Sequence, residues 1–102
     1  MDLEYVEITE KFMNETVKPI IDRGEYKSAG RKMIEIRNQA TINNPKFILV
    51  PHAMNYIASI ELLFNELMRD SPDKDDIEIY FRGFNIDSRQ YKMRLEALTQ
   101  KS

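Results

Sequence analysis

His52 is the chain's only histidine, and with Ser59 and Glu66 it falls on one polar strip of an otherwise apolar stretch, Asn44 to Arg69. An imidazole, a hydroxyl and a carboxylate on one strip are the parts of a hydrolytic triad. Their spacing defeats that use. Two helical turns separate His52 from Ser59, about 10 Å along the axis and beyond any hydrogen bond. With no second histidine and no cysteine, neither a histidine–thiolate metal set nor a thiol nucleophile can be assembled. His52 therefore reads as a structural residue, and no catalytic residue is assigned.

The run Asp70-Ser71-Pro72-Asp73-Lys74-Asp75-Asp76 concentrates carboxylates as a calcium loop does. A loop starting at Asp70 puts Phe81 at its twelfth position and one starting at Asp73 puts Phe84 there, where a bidentate glutamate is needed; the central glycine is also missing. The same residues suit a helix start, with a capping side chain, Pro72 at the first position and acids in the first turn. Gly24, Gly30 and Gly83 stand alone, so there is no glycine-rich phosphate cradle. No metal and no cofactor is expected.

Two basic groups remain. Lys27, Arg31, Lys32 and Arg37 lie on one helical segment, and Arg82, Arg89, Lys92 and Arg94 lie around the last one. Arg82-Gly83-Phe84-Asn85-Ile86 could be the turn of a DNA-binding helix-turn-helix, but that alignment puts Arg89 and Lys92 where a recognition helix buries apolar residues. A net charge of −2 and a pI near 5.4 also disfavour phosphate-driven affinity. Phe81, Arg82 and Phe84, with Arg89 and Lys92 beyond them, suit protein recognition better, because aromatics and arginine dominate interface hot spots. The basic patch Lys27, Arg31, Lys32 and Arg37 is the alternative surface. The reading is a non-enzymatic protein-binding module, a regulator, inhibitor or assembly adaptor with a protein partner of unknown identity, which could also pair with itself as a homodimer. A nucleic-acid-associated regulator using the basic C-terminal helix is the second reading.

These groups must be held by helices. In Asn44 to Arg69, Leu49, Ala53, Tyr56, Ile60, Leu63 and Leu67 recur in steps of four and three, with Val50, Met54, Ile57, Phe64 and Met68 as a second seam. Helix is expected from about residue 46, with a bend near Val50 at Pro51, after the connector Thr41 to Asn44. Asn55, Glu61, Asn65 and Glu66 interrupt the run and argue against a membrane span. The first helix starts at Asp2, with Leu3, Val6, Met13, Val17 and Ile20 on one seam and Tyr5, Ile8 and Phe12 beside it. Pro19 should kink or break it, and Gly24 should end it.

Gly24, Tyr26 and Ala29 follow one another within Arg23 to Ala29, a stretch that resembles the helix-turn-helix joint of a tetratricopeptide repeat. The resemblance implies an αα-hairpin at that place. No repeat of about 34 residues runs through the chain. The second helix then carries Tyr26, Ala29, Met33, Ile36 and Ala40 inward, and Ala29 with Gly30 permits close approach of a neighbour. Residues 77–84 fit a strand by alternation and a helix by their capping run, and helix is preferred. Gly83 is expected to stop that element, with a last helix from Ser88 bearing Tyr91, Leu95 and Leu98.

The charge alternates in sign along the chain: residues 1–24 and 51–80 are net acidic, 25–50 and 81–102 net basic. That pattern suits antiparallel neighbours. The expected architecture is all-α, a single domain over residues 1–102, with four to five helices packed around a central apolar helix at about 46–69. The opening residues begin with acids and lack the apolar core of a secretory signal, so a cytoplasmic location is expected.

Overall fold

A computed structural model describes the backbone of residues 2–42 and 50–101, and the side chains of 3–37 and 51–97. The described chain is all helix. The elements are α1 (Asp2–Phe12), a π-helical turn (Met13–Val17), α2 (Lys18–Asp22), α3 (Tyr26–Ile42), α4 (Val50–Leu67) and α5 (Lys74–Lys101). The first three run on without interruption, so four helical rods form the bundle.

Pro19 neither breaks nor ends the first rod. It lacks an N–H and its ring presses on the carbonyl four residues back, and the strain is taken up by a wider turn immediately before it. There the Lys18 N–H donates to the Met13 carbonyl, five residues back rather than four. The rod ends at Gly24, whose φ of 79° lies in the left-handed region. The Gly24 N–H donates to the Ile21 carbonyl at 2.8 Å and the Glu25 N–H to that of Ile20 at 3.2 Å, the paired closure of a Schellman motif. The chain reverses there into α3, which gives the expected hairpin.

Each rod is antiparallel to the next in sequence. The first rod packs on α3 and α5, and α4 packs on the same two, so the first rod and α4 face each other across the bundle. The molecule is long and narrow, 46 × 20 × 19 Å. Its core joins Val6, Met13 and Val17 of the first rod to Met33 and Ile36 of α3, Tyr56, Ile60, Leu63 and Leu67 of α4, and Ile77, Phe81, Phe84 and Tyr91 of α5. Gly30 allows α3 and α4 to meet closely, since a Cβ there would stand 2.5 Å from the Met68 sulfur.

Several expectations are corrected. Gly83 does not end a helix: α5 continues through it for 28 residues. Ile77, Phe81, Phe84, Ser88, Tyr91 and Leu95 keep one unbroken stripe toward the core, and its burial outweighs the roughly 1 kcal/mol that a mid-helix glycine costs. The cap of α5 is Asp73, one residue past Pro72; its carboxylate accepts the N–H groups of Asp75 at 2.8 Å and Asp76 at 3.0 Å. Thr41 and Ile42, assigned to a connector, are still helical. The flanking residues Tyr5, Ile8 and Met54 are exposed, because each helix has only two neighbours and cannot bury a second full seam. The expected helix start near 46 falls on residues outside those described, while Val50 and Pro51, where a bend is expected, are the first residues of α4. No helix among the described residues is long and apolar enough to cross a membrane.

Candidate functional site

The π-helical turn opens a groove. α1 packs against α5, but from the π-helical turn onward the first rod leans on α3 and leaves α5. The space between α2 and the first half of α5 is a cleft of about 720 Å3. Ile21 and Tyr26 on one side and Ile77 and Phe81 on the other give it an apolar lining. Its rims carry Lys18, Asp22 and Arg23 opposite Lys74, Glu78 and Arg82. Lys18 reaches Asp22 at 3.3 Å and stands 5.9 Å from the centre of the Phe81 ring, while Arg82 lies 3.7 Å from Glu78. Bases outnumber acids on the rim.

Beyond the groove, α1 is clasped to α5 by polar side chains. Glu10 accepts the Ser88 hydroxyl at 2.9 Å and the Lys92 ammonium at 2.6 Å. One turn on, Asn14 donates to the Asn85 side chain at 2.9 Å and to the Glu10 carbonyl at 2.8 Å. Ser59 of α4 donates to Asp87, so α5 is tied on both flanks. Between the ties lies Tyr56, fully buried against Phe84 and Tyr91. Its hydroxyl is beside Thr9 but meets no partner in hydrogen-bonding geometry among the described residues. Burial pushes this phenol up to about 12, with Thr9 opposing and Tyr91 and Glu10 adding to the shift.

Serine, lysine and glutamate in one cluster are residue types that catalysis uses, yet this geometry holds rather than reacts. Ser88 is fully buried, out of reach of any substrate, and Glu10 is already paired with Lys92.

Glu66 performs a second structural task. Both its oxygens accept Arg69, at 2.9 and 3.0 Å, and one accepts the Asp73 N–H at 2.8 Å, joining the end of α4 to the start of α5. The Asp73 amide first, and then Arg69, hold the Glu66 carboxyl below the usual carboxylate range. From neighbouring α3, Lys27 donates to the carbonyls of Met68 at 3.1 Å and Arg69 at 2.8 Å, which the end of α4 leaves without helical partners.

The residues expected to bind a partner are thus dispersed. Phe84 is fully buried and cannot touch another molecule unless the core opens. Phe81 is 4% exposed and shows only an edge to the groove, beside exposed Arg82. Lys92 is occupied by Glu10, and Arg89 sits in a shallow recess that includes Glu7, Glu10 and Glu15. In the alternative patch, Lys27 caps α4, and Arg37 pairs with Glu61 at 2.7 Å and lies 4.7 Å from the Phe64 ring centre, leaving Arg31 and Lys32 exposed. No group of potential metal ligands stands together among the described residues.

Sequence reasoning missed Ile21 and Tyr26 as groove residues, because nothing local marks where the rod leaves α5. Ser59 and Glu66, placed on a polar strip, are both buried and bonded to α5 and its cap. Ser88 did carry a signal, since it completes the stripe of Ile77, Phe81, Phe84 and Tyr91. Compared with protein-family models, curated proteins and solved structures, the chain matches none.

Proposed function

We propose that the chain is a non-enzymatic protein-binding module whose groove between α2 and α5 receives a short amphipathic segment of a partner, one large apolar side chain entering between acidic flanks. The observation that carries this reading is the departure of the first rod from α5 at the π-helical turn. It leaves Ile21 and Tyr26 half-buried against the core at the floor of an open cleft, where buried Ile77 and Phe81 show only their edges. π-helical turns gather at functional sites, and a cleft of this size with an apolar floor is of the kind that holds a ligand. Of the rim bases, Lys18, Arg23 and Arg82 are paired with Asp22, Glu25 and Glu78, and the charge of Lys74 beside them favours an acidic occupant. The nucleic-acid reading draws less support, since Lys92 is neutralised by Glu10 and Arg89 stands among carboxylates.

Selection from a random peptide display library, followed by fluorescence anisotropy on purified protein, tests the reading. Selected peptides should place a leucine or aromatic between acids. Lys74→Glu and Ile21→Asp should each weaken them about tenfold or more with helical circular dichroism unchanged, as loss of one anchor contact costs about 1.4 kcal/mol or more. Peptides whose affinity neither variant alters would remove the groove from consideration.

A further inference from the structure

The backbone of the first rod lies close to α5 only along α1, while the π-helical turn and α2 pack on α3. The rest of the bundle is joined without α1. α4 packs on both α3 and α5, Lys27 and Arg37 fasten α3 to α4, and Glu66 fastens α4 to the start of α5. α1 is therefore the helix whose departure parts none of the others.

It is also held by little apolar burial. Of the side chains from Leu3 to Phe12 only Val6 and Thr9 are buried, and Thr9 is polar, whereas α4 buries Ala53, Tyr56, Ile60, Leu63 and Leu67. The ties of α1 to α5 include the Glu10 carboxylate on Ser88 and Lys92, contacts that water replaces at small net cost. Tyr5 and Ile8 are exposed already and lose nothing when the helix lifts. Beneath α1 the Tyr56 hydroxyl lies beside Thr9 and makes no hydrogen bond among the described residues. Water that reaches it offsets part of the cost of uncovering its ring.

The rod has a weak point at the foot of α1. The Lys18 N–H bonds five residues back to Met13, and Pro19 has no N–H to offer, so the turn keeps fewer regular backbone bonds than the helix on either side. Met13 and Val17, both fully buried, anchor the chain there. We infer that α1 is a lid that opens as one unit, hinged where it passes into the π-helical turn, while the rest of the bundle stays folded. Lifting Thr9 and Glu10 uncovers Tyr56 and Ser88, and so extends the groove along the inner stripe of α5 that starts at Phe81. The opening rests on packing alone, and its use to lengthen the groove rests on the binding-module reading; an experiment on the unliganded chain tests the first without the second.

Hydrogen exchange of the full chain in rising sub-denaturing urea reads the opening. Amides of residues 6–12 should share one protection level, about tenfold or more below that of the α4 interior, with a weaker urea dependence, because opening a part exposes less surface than unfolding the whole. Ile77→Val supplies the second measurement, since Ile77 is buried at the groove end of α5, away from α1. It weakens the part that stays folded when the lid opens, so it should speed exchange in the α4 interior about threefold or more and leave residues 6–12 unchanged. Equal protection and equal acceleration in α1 and α4 would mean that α1 opens only with the whole bundle and overturns the inference. A protection gradient falling steadily toward residue 6 overturns it as well, by showing end fraying in place of a hinged unit.

Discussion

Glu10 and Lys92 lie 82 positions apart in the chain and meet at 2.6 Å, closing α1 onto α5 in the half of the bundle opposite the groove. The same carboxylate satisfies the buried hydroxyl of Ser88. Glu10→Ala should therefore cost about 1 kcal/mol, because it breaks a part-buried ion pair and leaves the Ser88 hydroxyl only its longer bond to the Asn85 carbonyl at 3.2 Å. Lys92→Met leaves the Ser88 bond in place and removes only a pair whose ends are about a quarter exposed, so it should cost under about 1 kcal/mol. Urea unfolding of the two variants measures the difference.

Tyr56 is where the core holds a polar atom without a hydrogen-bond partner among the described residues. Tyr56→Phe should leave stability unchanged or raise it by up to about 1 kcal/mol in thermal or urea unfolding, since it removes desolvation with no bond lost. The raised phenol also sets an alkaline limit. Its proton is held more tightly in the folded state, so its contribution is complete below the ordinary tyrosine value near 10 and is lost as pH rises from there through about 12. Ultraviolet titration should show a late tyrosine ionisation that Tyr56→Phe removes.

Glu66 sets the acid limit by the opposite sign. Its folded carboxyl is held below the unfolded value, so its contribution is present above the ordinary carboxylate range and disappears as pH falls through the lowered value. In Glu66→Gln, a plot of urea midpoint against pH should be flatter on the acid side than in the unaltered chain. Amide exchange should also quicken at Asp73, whose N–H loses a charged acceptor.

Gly30 and Gly83 are both mid-helix, and they should respond differently to the same added methyl. At Gly83 a Cβ meets nothing, so Gly83→Ala should gain about 0.5 to 1 kcal/mol from helix propensity. At Gly30 the Met68 side chain must move away, so Gly30→Ala should gain less or lose. Thermal unfolding of the two variants compares them directly.

Much of the bundle was legible because helical burial follows a short period. Val6, Met13 and Val17, Ala29, Met33 and Ile36, and Ala53, Tyr56, Ile60, Leu63 and Leu67 recur at three and four, and all are buried. The close approach at Gly30 and the reversal at Gly24 were legible because a missing side chain has one geometric meaning in each setting. Gly83 misled because a glycine is also the commonest helix stop. Its outcome depended on whether apolar residues continued beyond it, and Ser88, a polar residue on the inner stripe, concealed that they did. The expected recognition pair Phe81 and Phe84 failed as a surface for a related reason. Their burial is decided by how α5 packs on its neighbours, where both rings join the core.

By itself the amino-acid order determined that this chain forms helices, which faces of them are apolar, and where the first hairpin turns, because each is set by residues within a few positions of one another. Only the tertiary structure decided that Pro19 is absorbed by a π-helical turn, that the first rod then parts from α5, and that Glu10, Ser88 and Lys92 come together while Ile79, Ile86 and Met93 are left outside. Those outcomes depend on how four rods share a limited core, and no local interval along the chain encodes that.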